Sequence, residues 1–247
     1  MNPNYSDDKQ NKRRLLIKVC GMRDTDNIDE VAKLDIDLMG FIFWKGSKRC
    51  VKMISSKAGL IPDYSPERLR QASQGTDDAP AASRRLKRVG VFVDEMPQTI
   101  ITAIYNYRLD YVQLHGEESP VMIDNLKRTL IPDIAPDIKV IKALSVATPD
   151  DVARYKPYEG HADLFLFDTR CPTVGGSGRQ FDWDLLAAYD GHTPFLLSGG
   201  IGPDDADRVR RFSHPMLAGI DLNSQFETEP GRKDPDSLRT FISQVRA

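Results

Sequence analysis

The chain has 247 residues, 40% of them hydrophobic, and a formal net charge of −2 from 34 Lys and Arg against 36 Asp and Glu. That length supports a sizeable core in one α/β barrel or in two smaller domains. The near balance of charge gives no reason to expect nucleic acid or an anionic membrane as a partner, and no apolar run approaches the length of a bilayer span. Met1–Arg14 is polar, mixed in charge and without the apolar stretch of a secretory signal, so residues 1–14 read as a tail outside the fold at 15–247. Cys20, Cys50 and Cys171 are odd in number and widely spaced, with no C-x-x-C and no Cys/His group suited to zinc. Reduced thiols in a cytoplasm are expected.

From Leu15 onward the chain repeats one unit: an apolar strand, a turn, an amphipathic segment. Strands are predicted at Ile17–Cys20, Leu38–Phe43, Arg88–Val93, Tyr111–Leu114, Lys139–Leu144, Leu164–Asp168, Phe195–Ser198 and Leu217–Asp221. Most are almost continuously apolar, as strands covered on both faces should be. Helices are predicted over Asp26–Leu34, from Ser65-Pro66, Met96-Pro97, Ser119-Pro120, Thr148-Pro149, Phe181-Asp182, Gly202-Pro203 and Asp234-Pro235, several with Pro suited to the first helical position. Eight such units in about 230 residues predict a single closed (β/α)8 TIM barrel. Residues 71–85 (QASQGTDDAPAASRR) are small, polar and rich in turn formers, and read as a flexible insertion between strands two and three.

The chemistry of such a barrel collects at the C-terminal ends of its strands. Lys18 and Cys20 alternate with Ile17 and Val19, so they share the inward face of strand one. Cys20 is either a small core filler or a thiol activated by Lys18 and by the helix start near Asp24. Asp168 ends four apolar residues, where burial would raise its pKa and suit it as a general acid; a helix cap or a lysine partner is the alternative. The loop Gly175-Gly176-Ser177-Gly178 that follows has the mobility to fold over a ligand. Gly199 and Gly200, between strand seven and a helix, let backbone N–H groups approach a phosphate, and Asn223 and Ser224 after strand eight would complete the cradle. Arg49 carries a fork that grips a carboxylate, or is merely solvated. Gln113 and His115 end strand four as pocket-lining candidates. Asp221 either faces the pocket or terminates its strand.

Taken together, K-V-C-G at 18–21, G-F-I-F-W-K-G-S-K-R at 40–49, V-Q-L-H-G at 112–116, F-D-T at 167–169 with G-G-S-G at 175–178, L-S-G-G-I at 197–201, G-I-D-L-N-S at 219–224 and E-P-G-R-K-D at 229–234 resemble the phosphoribosylanthranilate isomerase family of tryptophan biosynthesis. The resemblance spans roughly residues 15 to 246. It implies a cofactor-free and metal-free intramolecular oxidoreductase, an aldose-ketose isomerase. The reaction is the Amadori rearrangement of N-(5-phosphoribosyl)anthranilate to 1-(2-carboxyphenylamino)-1-deoxy-D-ribulose 5-phosphate. The same resemblance implies Asp168 as general acid, Cys20 as general base and Arg49 on the anthranilate carboxylate; a thiol suits the base because its pKa can sit near neutrality. Lys18, Gln113 and His115 would line the substrate, and Gly199, Gly200, Asn223 and Ser224 the phosphate. The expected partner is a small phosphosugar, bound by a monomer or homodimer. Gln225 stands where the family usually has glycine. Other phosphosugar barrels use paired aspartates or a metal with histidines, which Cys20 and only four His argue against. A barrel that binds its ligand without turnover is the other class.

Overall fold

Each stretch expected as a buried strand forms one. A computed structural model describes residues 14–51, 86–169 and 182–247. The strands are β1 (Leu16–Val19), β2 (Leu38–Ile42), β3 (Lys87–Phe92), β4 (Tyr111–Leu114), β5 (Lys139–Val146), β6 (Leu164–Thr169), β7 (Phe195–Leu197) and β8 (Leu217–Leu222). They pair in parallel in chain order and close β1 onto β8, with Lys18 beside Asp221 in register. This is the (β/α)8 barrel that the alternation predicts. No helix among the described residues is long and apolar enough to cross a membrane.

Strand alternation sorts the core into layers. Leu38, Val89, Ile141, Ala143, Leu164, Leu166 and Leu196 form the inner cluster. Their neighbours Met39, Phe165, Phe167, Phe195 and Leu197 join Ile17, Val19, Ile220 and Leu222 in packing outward, against Ile28, Val31, Val209, Leu238 and Phe241 of the helices. Burying each such side chain contributes about 1.5–3 kcal/mol. The same alternation turns Lys18, Gln113 and Asp168 toward the barrel axis.

The helices are Thr25–Val31, Pro97–Tyr107, Pro120–Leu130, Pro149–Val152, Ala206–Arg211 and Pro235–Arg246. Thr148 caps its helix with a reciprocal box to Asp151, and Ser119 accepts from the Met122 N–H. Two expectations are corrected. The segment expected as a helix from Phe181-Asp182 is a 3-10 turn over Trp183–Ala188. The helix expected from Gly202-Pro203 begins as a 3-10 turn, Pro203–Asp205, before six α-helical residues. Runs this short form the tighter turn because few residues are left to stack. A small antiparallel hairpin after β8, β9 (Glu227–Glu229) with β10 (Arg232–Lys233), was not anticipated. The helix start at Ser65-Pro66 and the 71–85 insertion lie outside the described residues. Arg14, placed with the tail, donates to Asp37 at 2.8 Å.

Candidate active site

The C-terminal mouth of the barrel holds a buried charged constellation around the end of β1. Lys18 is fully buried and its Nζ lies 2.8 Å from Asp221 Oδ1 across the β1–β8 seam. Two charges removed from water need such a partner. Burial opposes the ammonium, yet Asp221 and Cys20 outweigh it, so the Lys18 pKa lies above its ordinary value. Burial pushes the Asp221 carboxyl up despite Lys18, and Ser198 Oγ adds a contact at 3.5 Å. Asp221 therefore faces the pocket and does not merely end its strand.

Cys20 follows β1 with 3% of its surface exposed, and its N–H donates to Leu222 O at 2.8 Å. A Cβ on Gly40 would lie 2.7 Å from its Sγ, so β2 leaves room for the thiol only because residue 40 is glycine. The expected near-neutral pKa is corrected. Burial pushes the thiol above its ordinary value, and the pull of Lys18, the next largest influence, does not overcome it. The helix near Asp24 is only seven residues long, with no side-chain cap.

Asp168, on β6, is half-buried, with its Oδ2 3.6 Å from His115 Nε2. Burial first, then Lys18 and Lys142, lower the His115 pKa to about 4, so the imidazole is neutral at pH 7. Gln113 Nε2 lies 3.0 Å from His115 Nδ1. With Nδ1 accepting, Nε2 carries the hydrogen and aims it at Asp168. Gln113 Oε1 is buried with no hydrogen-bond partner among the described residues. Asp168 also acts on Asp221, and Asp221 on Cys20, so acid and thiol belong to one electrostatic network.

The expected phosphate loops lie side by side. Gly199 and Gly200 take φ of 89° and 72°, which only glycine adopts without strain. A Cβ on Gly202 would meet Gln225 at 3.7 Å, so the β7 and β8 loops touch. The Asp205 carboxylate takes the Gly202 N–H at 2.7 Å, which turns that amide away from the cradle. Asn223 accepts from Lys233 Nζ through its side-chain oxygen, 2.8 Å away, which leaves its N–H groups as the donors for any phosphate contact. Ser224 opens the 3-10 turn Ser224–Phe226.

Arg49 is not a solvated cation. Its Nε lies 2.8 and 3.0 Å from the two oxygens of Glu227, and one terminal nitrogen lies 2.7 Å from Oε2. Sequence reasoning missed Glu227, as it missed the buried Glu118–Lys142 pair at 2.9 Å. Glu118 also accepts the N–H groups of Asp94 and Gly116, pinning the turn that follows His115. A Lys inside Val140–Leu144 was the available signal. Beside this turn lies a cavity of about 250 Å³ lined in part by His115, Lys142, Ser145 and Arg154. Among the described residues no group of three or more His, Cys, Asp and Glu is arranged to hold a metal ion. Residues 170–181, with Cys171 and the Gly175–Gly178 loop, lie outside the described residues.

Comparison with known proteins agrees with this geometry. Residues 17–244 match the family model for N-(5'-phosphoribosyl)anthranilate (PRA) isomerase. The isomerase of Parabacteroides distasonis is 46% identical over 231 residues, covering 94% of this chain and 93% of its own. That of Phocaeicola vulgatus is 40% identical over 232 residues, covering 94% and 98%. A crystal structure of a phosphoribosyl anthranilate isomerase in complex with reduced 1-(o-carboxyphenylamino)-1-deoxyribulose 5-phosphate is 29% identical. It superposes with a TM-score of 0.68 over 94% of this chain and 99% of its own. A barrel of this topology, a family match across nearly its whole length and relatives of this identity together place the chain in the N-(5'-phosphoribosyl)anthranilate isomerase family.

Proposed function

We propose that the chain catalyses the Amadori rearrangement of N-(5-phosphoribosyl)anthranilate, with Asp168 as general acid and Cys20 as general base. The observation that supports this most is the network joining the two, from Asp168 through His115 and Asp221 to Lys18 and Cys20, at one end of one barrel. Asp168 protonates the furanose ring oxygen and the ring opens to an iminium ion. The Cys20 thiolate removes the C2 proton, giving an enolamine whose 2-hydroxyl proton moves to C1 as the ketone forms. Asp168 has then lost one proton and Cys20 has gained one, and exchange with solvent resets the pair.

Burial keeps Cys20 a thiol at rest; its proton leaves to solvent before the C2 proton is removed, and Lys18 and Lys233, which both favour the anion, make that thiolate accessible. Neutral His115 stands 3.6 Å from Asp168 without placing a positive charge beside it. The unpaired Gln113 Oε1 accepts from a substrate hydroxyl. Lys18 lines the same wall. Arg49 receives the anthranilate carboxylate, and Gly199, Gly200, Asn223 and Ser224 receive the phosphate. One chain supplies every residue named, so a single subunit suffices whether the protein is a monomer or a homodimer, and a cytoplasmic setting suits a reduced Cys20. The test is loss of phosphoribosylanthranilate fluorescence on adding purified protein. Turnover is expected; tight binding without turnover would overturn the proposal in favour of a ligand-binding barrel.

A further inference from the structure

The hairpin after β8 has no part in the acid-base steps, yet it carries two of the most deeply buried charged side chains among the described residues. Lys233, on β10, has a fully buried side chain, and that of Glu227, on β9, is 5% exposed. Lys233 Nζ lies 2.6 Å from Glu227 Oε1, 2.8 Å from Asn223 Oδ1 and 3.3 Å from Asn223 O. The Gly231 N–H donates to the same Glu227 oxygen at 3.2 Å. The hairpin is itself anchored: Asn27 of the first helix exchanges hydrogen bonds of 2.9 and 2.8 Å with the Lys233 backbone. Such a fixed carboxylate is a poor surface ion pair and a good template.

What Glu227 presents to is Arg49. The contact is side-on, through Nε and one terminal nitrogen, and leaves the end-on edge of the guanidinium outside it. The arginine stem is pressed onto Gly21, where a Cβ would lie 2.7 Å from Arg49 Cδ and 2.8 Å from Asn223 Oδ1. Gly21 directly follows Cys20, and both Arg49 and Lys233 feel the charge of its thiolate. Within this cluster Arg49 and Lys233 both face the one Glu227 carboxylate, which holds the arginine in place beside Cys20.

We infer that Glu227 is a positioning residue that holds Arg49 side-on beside Cys20, with its free edge directed to the aryl carboxylate of the substrate. This rests on the proposed role of Arg49. Lys233 keeps Glu227 ionised and in place, and the hairpin ties the carboxylate end of the site to the first helix. A flexible arginine would lose more freedom on binding; a clamped one has already lost it.

Initial rates with phosphoribosylanthranilate test this in four proteins: wild type, Glu227→Asp, Arg49→Ala and the double variant. Glu227→Asp keeps the charge that Lys233 needs but withdraws it by one methylene. It is expected to raise KM about 10-fold while changing kcat less than about 2-fold, in a protein that circular dichroism shows to be folded at the assay temperature. Glu227→Gln, which keeps an acceptor and drops the charge, is the second variant and should shift KM the same way. In the Arg49→Ala background the Glu227 substitution should add nothing, because its effect passes through Arg49. A wild-type KM in both Glu227 variants, or additive losses in the double variant, overturns the inference and leaves the Arg49 role standing. An unchanged KM in Arg49→Ala overturns both.

Discussion

Replacing Lys18 by Met removes the fully buried cation of the Lys18–Asp221 ion pair while nearly preserving its volume. The Asp221 carboxylate is then left desolvated with Ser198 at 3.5 Å as its remaining close contact among those described. Breaking one side of a buried pair costs about 3–5 kcal/mol. For a chain of this size that lowers the melting temperature by about 6–20 °C at pH 8. The loss must depend on pH. Burial already raises the Asp221 pKa in the folded state, and losing Lys18 raises it further. The folded protein then binds a proton that the unfolded chain releases, so stability falls as pH rises above the ordinary aspartate range and recovers as pH falls. Melting followed by circular dichroism at pH 5 and pH 8 should show the variant closer to wild type at pH 5. Adding Asp221→Leu should restore much of the loss at pH 8. Equal losses at the two pH values, or a loss under about 1 kcal/mol at pH 8, would refute the claim that Lys18 compensates a desolvated carboxylate.

His115, with its pKa lowered to about 4, binds its proton less well folded than unfolded, so its contribution to stability is lost as pH falls from about 6.5 to 4. His115→Gln should melt with a shallower pH dependence in that window, by about 2 kcal/mol in total, and an unchanged slope would contradict the neutral imidazole. Arg49→Ala should raise KM with little change in kcat, read from initial rates; a normal KM sinks the carboxylate contact. Iodoacetamide at pH 7 should modify Cys20 slowly and increasingly fast toward alkaline pH, followed by peptide mass mapping. Rapid labelling at pH 7 would mean that burial does not raise the thiol.

The barrel was readable because its strands are short apolar runs in fixed alternation with helices, and period two then places Lys18, Cys20, Gln113 and Asp168 on one inner face. The weaker segments were not readable. Trp183–Ala188 and Pro203–Asp205 carry helix-start residues but too few that follow, and hydrogen bonding decides between an α-helix and a 3-10 turn. The direction of the Cys20 pKa was not readable because the pattern shows a neighbouring Lys but not the depth of burial that outweighs it. Glu227 was invisible as the partner of Arg49 because 178 residues separate them in the chain. Only closure of β8 onto β1 brings the two loops together. Lys142, a charge inside the buried run Val140–Leu144, was the trace that one such pair left in the sequence; Lys233, between Arg232 and Asp234, left none.

The central claim is that Cys20 removes a proton while Asp168 supplies one. Single-turnover decay of phosphoribosylanthranilate fluorescence, measured for wild type, Cys20→Ala and Asp168→Asn with enzyme in excess, tests it most directly. Each substitution should slow the decay about 10²–10⁴-fold with melting preserved. Wild-type decay in a folded Cys20→Ala or Asp168→Asn protein would contradict the assignment of that residue to the reaction.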